Sequence, residues 1–335
     1  MRVQRSLAPL LDSFFRRRLT QQRNATPATV QAYRDALRLF VLFASRYTAK
    51  KPCSLAVDDL DREVVLAYLD HLERARGNGV HTRNARLTAI RSFFHHVAAS
   101  DPASIGVAQR VLSIPSKKSD VLTVNYLSRA ELDALIAAPS ANSSRGRRDR
   151  TLLLFLARTG ARISEALGVE AADLSLEGAR AQVMLRGKGR KQRVVPLARD
   201  ITTALDRLLH ERSIGRAEHL PIFVGTNGQR LTRFGAIHIV RRAAAAASRR
   251  MPGLSRKRIS PHVFRHSLAM ILLQSGVDLL TIQAWLGHAQ VATTHRYAAA
   301  DVEMMRRGLE KAAIRPNVAP RFRPKDAVLS LLENL

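Results

Sequence analysis

Six polar side chains in the second half of the sequence are of the types that could cut a phosphodiester bond. They are two arginines, two histidines, a lysine and a tyrosine, at Arg162, Lys188, His262, Arg265, His288 and Tyr297. A phenol has a pKa of about 10, so Tyr297 needs nearby positive charge or a base to become a nucleophile. Planar guanidinium groups bind phosphate oxygens in bidentate fashion. The sequence therefore predicts that Arg162 and Arg265 clamp the phosphate that Tyr297 attacks.

The other side chains of this set could move protons. Lys188 lies in a glycine-flanked turn, where it could protonate the leaving 5′ oxygen as a general acid, and Lys191 competes for that role. His262 and His288 could hydrogen-bond the phosphate or assist proton transfer. Glu165 follows the first arginine by three positions, so on a helix it would share that arginine's face and could orient its neighbours.

The elements that must position these residues follow from hydrophobic periodicity and turn signals. Ser128 and Glu131 form a capping-box pattern that opens a helix. Helices are expected at Arg150–Ala157 and Ile163–Leu167. Short β-type runs at Ala181–Leu185 and Arg193–Leu197 flank the glycine-rich turn and predict a hairpin, with Leu174–Leu176 as a third strand.

The first hundred residues predict helices at Thr29–Tyr47, Asp61–Glu73 and His81–Ala99. Thr26 and Pro27 are suited to begin the first of these. On the third helix, basic residues occupy positions that the core does not need, which suits phosphate contact, although a basic helix face is more often only solvated. The candidate DNA-contacting residues are Arg83, Arg86, Arg91, Lys117, Lys118, Arg190 and Lys191.

A change in composition and a loss of helical periodicity between residues 101 and 126 predict a domain boundary. Prolines, serines and lysines occur there without periodicity, which is typical of a linker. We expect a helical N-terminal domain at 5–105, a linker at 106–126 and a catalytic domain at 127–312. The remaining residues, 313–335, form a tail with a short apolar stretch that is expected to pack against a neighbouring protomer.

The composition favours a polyanionic partner. The chain has 335 residues, with 55 Lys and Arg against 27 Asp and Glu, a net charge of +28. Charge of this size favours nucleic acid, and its spread along the chain fits a membrane surface poorly.

The apolar run Leu152–Ala157 is far shorter than the roughly 20 residues that cross a bilayer. Without a signal-peptide pattern, a cytoplasmic protein is expected. Cys53 is the only cysteine, which excludes an intrachain disulfide and a multi-cysteine zinc site.

Taken together and in order, these motifs closely resemble those of the tyrosine recombinase (phage integrase) family. The resemblance rests on Thr159–Glu165, Gly187–Gly189, His262-x-x-Arg265, Leu286–His288 and Tyr297, and extends into the N-terminal half through Thr29-x-x-x-Tyr33 and Thr82–Phe94. It implies a mainly α-helical, two-domain DNA clamp, with a helical core-binding domain and a catalytic domain that carries a small antiparallel β-sheet.

The resemblance also implies the reaction. Tyr297 would attack a scissile phosphate of double-stranded DNA, form a 3′-phosphotyrosyl bond and release a 5′ hydroxyl, and a partner strand would then reverse this step. No metal or cofactor is expected. A homo-oligomer, most simply a tetramer on two paired DNA sites, would act with or without accessory recombinases or DNA-bending proteins.

Two other functions fit part of the same pattern. A type IB topoisomerase uses similar chemistry without pairing two sites, but the integrase-like N-terminal half argues against it. A non-catalytic DNA-binding protein of this fold would be expected to lack the nucleophile or one of the arginines, and this sequence has them all. Integration, transposition and dimer resolution remain open as biological roles.

Overall fold

The computed structural model describes residues 6–118, 125–187 and 191–287. The chain divides into two compact units, residues 1–122 and residues 123–335. Each unit has its own hydrophobic core. Within the described ranges, no helix is both long and apolar enough to cross a membrane.

The regular elements among the described residues of the first unit are all helices. Its helices are α1 (Leu7–Ser13, continued in π-helical form by Phe14–Gln22), α2 (Pro27–Tyr47), α3 (Arg62–Arg74), α4 (Val80–Ser100) and α5 (Ile105–Leu112). The Thr26 side chain caps α2 by accepting a hydrogen bond from the Thr29 amide at 3.3 Å. Buried aromatic rings such as Phe40, Tyr68 and Phe93 form the centre of the core. The three helices predicted from periodicity are confirmed.

Helix α5 differs from the expectation that residues 106–126 are a linker. Its apolar residues Val107, Ala108 and Val111 are buried in the core of the first unit. Eight residues are too few to show a clear helical period beside the prolines and lysines that follow. Residues 106–112 are therefore part of the first unit's core, and the prediction of a linker over them is wrong.

The second unit contains seven α-helices and a short sheet among its described residues. The helices are α6 (Arg129–Ala137), α7 (Ser144–Thr159), α8 (Ile163–Gly168), α9 (Arg199–Glu211), α10 (Arg233–Ser248), α11 (Pro261–Gln274) and α12 (Leu279–Leu286). The strands are β1 (Leu174–Ser175), β2 (Gln182–Arg186) and β3 (Gln192–Pro196), and both strand pairs are antiparallel. The mainly α class with a small antiparallel sheet in the C-terminal unit is confirmed.

The second half of helix α7, residues 151–157, passes through the core of the second unit and is buried on every side. Leu152, Leu153, Phe155 and Leu156 are each fully buried, and α6, α9 and α11 pack around the helix. A helical segment that is apolar all round, such as Leu152–Ala157, is expected in such a central position. Because α7 is held so firmly, the turn that follows it is a fixed point from which the candidate site is built.

At the start of this unit, the predicted capping box is confirmed. The Glu131 amide donates to Ser128 Oγ at 3.2 Å, and the Ser128 amide donates to the Glu131 carboxylate at 2.7 Å. Lys257 Nζ also contacts that carboxylate at 2.7 Å. The pKa of Glu131 is lowered because these bonds outweigh the effect of its burial.

Candidate active site

A tight turn after α7 places the first candidate arginine. The Thr159 hydroxyl donates to the Phe155 carbonyl at 2.6 Å and accepts from the Ala161 amide at 3.2 Å. Gly160 has the left-handed φ of +61° that this reversal requires. Arg162 follows at the N-terminus of α8, so its position is fixed by the end of the buried helix.

The turn also packs closely against α12. A Cβ atom on Gly160 would lie 2.6 Å from Leu286 Cδ2 and 3.0 Å from Leu268 Cδ2. No side chain fits there unless one of these leucines moves. Glycine is therefore needed for its backbone conformation and for the close approach of α12, the helix that leads directly to His288.

Arg265 lies on α11, and only 4% of its surface is exposed. One terminal nitrogen donates to the Gly160 carbonyl at 2.8 Å, and the other donates to the Leu286 carbonyl. A buried guanidinium needs such acceptors, because leaving it unpaired in the protein interior is costly. Arg265 thus joins the turn after α7 to the end of α12.

Arg162 reaches the same end of α12. Its guanidinium donates to Glu165 Oε1 at 2.6 Å and to the Gly287 carbonyl at 3.2 Å, while about a third of its side chain (33%) remains exposed. Since Arg265 bonds the carbonyl of Leu286, the adjacent residue, the two guanidinium groups lie close together. The structure thus brings together the two arginines that the sequence predicts as a phosphate clamp, and the clamp itself stays a prediction.

Glu165 is the acidic member of the cluster, and its side chain is only 2% exposed. It accepts bonds from the Arg162 backbone amide at 2.9 Å, from the Arg162 guanidinium and from the Arg193 guanidinium at 2.8 Å. Burial alone would raise the pKa of Glu165, but the bonds from Arg193 and Arg162 outweigh burial and lower it. The carboxylate therefore stays charged and orients both arginines.

Arg193, on β3, is a member of the cluster that the sequence analysis did not identify. Besides its bond to Glu165, its Nε donates to the Trp285 carbonyl at 2.9 Å, and its side chain is only 13% exposed. The available signal was strand alternation, because Arg193 and the buried Val195 lie on the same face of β3. A charged residue at an inward position predicts a buried partner.

Three arginines from three different elements therefore bind three consecutive carbonyls at the C-terminal end of α12. Arg193 bonds Trp285, Arg265 bonds Leu286, and Arg162 bonds Gly287. The last carbonyls of a helix lack partners within it and carry partial negative charge, so cations are favourable there. Arg162 and Arg193 share the carboxylate of Glu165, so these two cations bond one acidic side chain. Guanidinium groups suit an anionic substrate.

His262 lies in the first turn of α11, three positions before Arg265, and its surface remains exposed. Its pKa is lowered, first because neighbouring groups displace part of its hydration, and then by the positive charges of Arg265, Arg233 and Arg162. The imidazole is therefore neutral at neutral pH and can both donate and accept a hydrogen bond. Arg233, at the start of α10, is a second nearby cation that the sequence analysis did not name.

The β2–β3 hairpin lies beside the cluster at Gly187, where β2 leads into the hairpin tip. The Gly187 amide donates to the Lys191 carbonyl at 2.7 Å, and a Cβ atom on Gly187 would lie 3.1 Å from Glu165 Oε1. Lys191 is exposed. Lys188 and Arg190 lie outside the described residues, so their predicted roles stay predictions.

Two further candidates, His288 and Tyr297, follow the end of α12 in the sequence. Gly287 ends the helix with φ of +63°, and His288 is the next residue. His288 and Tyr297 lie outside the described residues, as does the tail at 313–335. Their roles therefore also stay predictions.

In the first unit, some candidate DNA-contacting residues have structural contacts instead. Arg83 is only 5% exposed and donates to the Pro115 carbonyl at 3.3 Å, so the expectation that it lies on the outer face is wrong. Arg91 donates to the Leu112 carbonyl at 2.8 Å, which satisfies the end of α5. Both arginines hold the α5 segment against α4, a long-range contact that a helix pattern does not reveal.

The other candidates in this unit are more accessible. Arg86 is partly exposed and Lys118 is exposed. Lys117 is exposed as well, but its ammonium contacts the Glu73 carboxylate at 2.7 Å. Lys117 and Lys118 are thus the most exposed described candidates of this unit, and Arg86 is half-buried.

Comparison with known proteins agrees with this site. Residues 125–304 match the phage integrase family, and residues 11–100 match the phage integrase N-terminal SAM-like domain. A putative integrase/recombinase of Sinorhizobium fredii, y4rD, is 62% identical over 262 residues, which cover 78% of this chain and 93% of the relative. The tyrosine recombinase XerC of Pelobacter propionicus is 31% identical over 308 residues, which cover 91% of this chain and 96% of that protein.

A solved structure shows the same fold. The XerH site-specific recombinase, bound to a palindromic difH substrate in a post-cleavage complex, superposes with a TM-score of 0.69 at 24% identity, covering 87% of this chain and 81% of XerH. The chain belongs to the phage integrase family, the tyrosine recombinases, which are site-specific recombinases that cut and rejoin DNA. The resemblance found in the sequence is confirmed.

Proposed function

We propose that this protein recombines double-stranded DNA at specific sites, with Tyr297 as nucleophile and Arg162 and Arg265 as the clamp on the scissile phosphate. The observation that carries the proposal is the pairing of these two arginines on consecutive carbonyls of α12, eleven and ten positions before Tyr297. Family membership supplies the reaction type, and the positive charge of the two guanidinium groups suits the phosphate.

The remaining candidates take complementary roles in this proposal. Neutral His262 would hydrogen-bond the phosphate, and His288 would join it from the segment after α12. One of these histidines would accept the phenol proton that Tyr297 loses on attack. Lys188 would protonate the leaving 5′ oxygen from the hairpin tip. Glu165 would hold Arg162 in place. The bond to the leaving oxygen is replaced by the bond to Tyr297, so the phosphodiester energy is retained and strand exchange needs no external energy source.

We further propose an integrase-type role, acting on DNA in the cytoplasm as a tetramer on paired sites. The support is the name of the 62% identical relative, an integrase/recombinase. The N-terminal SAM-like domain match favours a recombinase over a topoisomerase. Relaxation of supercoiled plasmid without sequence preference would instead favour the topoisomerase function.

Nicked suicide duplexes from the DNA flanking the gene test the nucleophile. Purified protein is incubated with them, and covalent adducts are separated on a denaturing gel. We expect an adduct with the native protein, none with Tyr297→Phe, and an adduct with Tyr126→Phe, which alters the only other tyrosine in residues 123–335. An adduct that persists in Tyr297→Phe would overturn the assignment of the nucleophile.

A further inference from the structure

Arg193 connects three parts of the second unit that carry candidate catalytic residues. It lies on β3, two residues after the hairpin leaves its tip at Lys191. Its guanidinium bonds Glu165, which in turn bonds Arg162, and also bonds the Trp285 carbonyl near the end of α12. One side chain therefore joins the hairpin, the first arginine's carboxylate and the helix that precedes His288.

The packing around this guanidinium leaves it little freedom. A Cβ atom on Gly287 would lie 3.0 Å from one Arg193 terminal nitrogen and 3.3 Å from its central carbon. A Cβ atom on Gly187 would lie 3.8 Å from the same nitrogen. Two glycines thus border the Arg193 side chain, one where the chain enters the hairpin tip and the other where α12 ends.

The chemistry of arginine suits this position. Its planar fork can donate to a carboxylate and to a carbonyl at the same time, each along a fixed direction. Lysine offers a single nitrogen on a flexible stem, and glutamine offers neither the charge nor the reach. Arg193 uses this fork to bond a carboxylate on α8 and a carbonyl on α12, and so fixes both groups at once.

We propose that Arg193 is a positioning residue for DNA cleavage, which holds the hairpin and the end of α12 in register with the Glu165–Arg162 pair. Its loss leaves Glu165 and Arg162 bonded to each other but lets the hairpin and α12 move relative to them. Displacement of a reacting group by about 1 Å costs on the order of 100-fold in rate. The role rests on the proposed cleavage reaction and adds to it a residue that contacts no substrate.

A matched arginine elsewhere in the same unit provides the control. Arg147 also bonds one carboxylate, Glu211 Oε1 at 2.7 Å, and one carbonyl, that of Ala141 at 3.1 Å. Its side chain is 32% exposed, and its partners belong to the α6–α7 and α9 region. Arg147→Gln therefore removes the same kinds of bond without touching the arginine cluster.

Single-turnover cleavage of the nicked duplex tests the role, with DNA affinity measured separately. For R193Q we expect a cleavage rate about 100-fold lower with unchanged DNA affinity, and for R147Q the native rate. R193K keeps the charge and one bond, so its rate should lie between those of R193Q and the native protein. R193K also serves as the test variant if R193Q does not fold.

Two further readouts separate positioning from a general loss of stability. The double variant R193Q/E165Q should be no slower than the slower single variant, because both residues act through the same pair. In R193Q the acid limb of the pH–rate profile should move to higher pH. Arg193 and Arg162 are the charged groups that contact Glu165 among the described residues, and removing one raises the pKa of that buried carboxyl.

The outcomes are distinct. Native cleavage rates in both R193Q and R193K would overturn the role of Arg193, and so would losses that simply add in the double variant. A native protein that forms no adduct on any duplex would instead overturn the proposed function, and the role of Arg193 with it.

Discussion

Gly160 offers the sharpest test of how the candidate site is built. In Gly160→Ala, an alanine must adopt φ of +61°, which costs about 1–2 kcal/mol for a residue with a Cβ atom. Its methyl group would also lie 2.6 Å from Leu286 Cδ2, and overpacking of this kind typically costs about 1–3 kcal/mol more. We therefore expect the free energy of unfolding of the second unit to fall by about 2–5 kcal/mol.

Gly178 provides the matched control, because it has nearly the same φ, +58°, but nothing lies within 4 Å of its hypothetical Cβ atom. Gly178→Ala should show only the backbone cost of about 1–2 kcal/mol. Trp285 is the only tryptophan in the chain, and it lies in the second unit beside Leu286. Its fluorescence during urea unfolding therefore reports on the relevant unit.

The difference between the two variants isolates the contact between the turn and α12. Gly160→Ala should also slow DNA cleavage, because the Gly160 carbonyl holds Arg265, whereas Gly178→Ala should not. Equal destabilisation by the two substitutions would refute the argument that α12 packs tightly on this turn.

Three other perturbations have outcomes fixed by the structure. Asp149 is fully buried between Arg148 and Arg242, so Asp149→Asn should cost about 3–5 kcal/mol of unfolding free energy, against about 0–1 kcal/mol for Asp206→Asn at an exposed ion pair. The pKa of Glu165 is lowered on folding, so its charge contributes fully to stability above the unfolded pKa near 4.5. That contribution is lost as pH falls through the lower folded pKa, and Glu165→Gln should therefore flatten the acid side of a plot of unfolding free energy against pH. Arg83→Ala should lower the thermal midpoint of the first unit, because Arg83 is buried there. Arg86→Ala should leave that midpoint unchanged and reduce the slope of log DNA affinity against log salt concentration by about 0.9. The reverse pattern would contradict the burial of Arg83.

Local elements were predictable because their signals are local. The capping box at Ser128, the cap at Thr26 and the hairpin strands each depend on residues a few positions apart, and all are present. The sequence also names Arg162 and Arg265, the two arginines proposed as the clamp, because their neighbouring motifs are specific. These features need no knowledge of how distant segments pack.

The features that sequence reasoning missed depend on long-range contacts. Arg193 lies 92 positions from Trp285, whose carbonyl it bonds. The local sequence around either residue does not predict this contact. Arg83 and Arg91 are part of a basic helix face by periodicity, but Arg83 bonds Pro115 after α5 and Arg91 bonds Leu112 at the end of α5. A basic residue on a helix can bind an anion, but only the fold shows whether its N–H donors are already bonded to backbone carbonyls.

The measurement that tests the central claim most directly is the chemical identity of the protein–DNA bond. The covalent adduct from a nicked duplex is digested with a protease and a nuclease, and the nucleotide-bearing peptide is sequenced by mass spectrometry. We predict a peptide in which Tyr297 carries the 3′-phosphate of the nucleotide at the cut. A nucleotide on any other residue, or a cut strand that ends in a free 3′ hydroxyl without an adduct, would contradict the assignment.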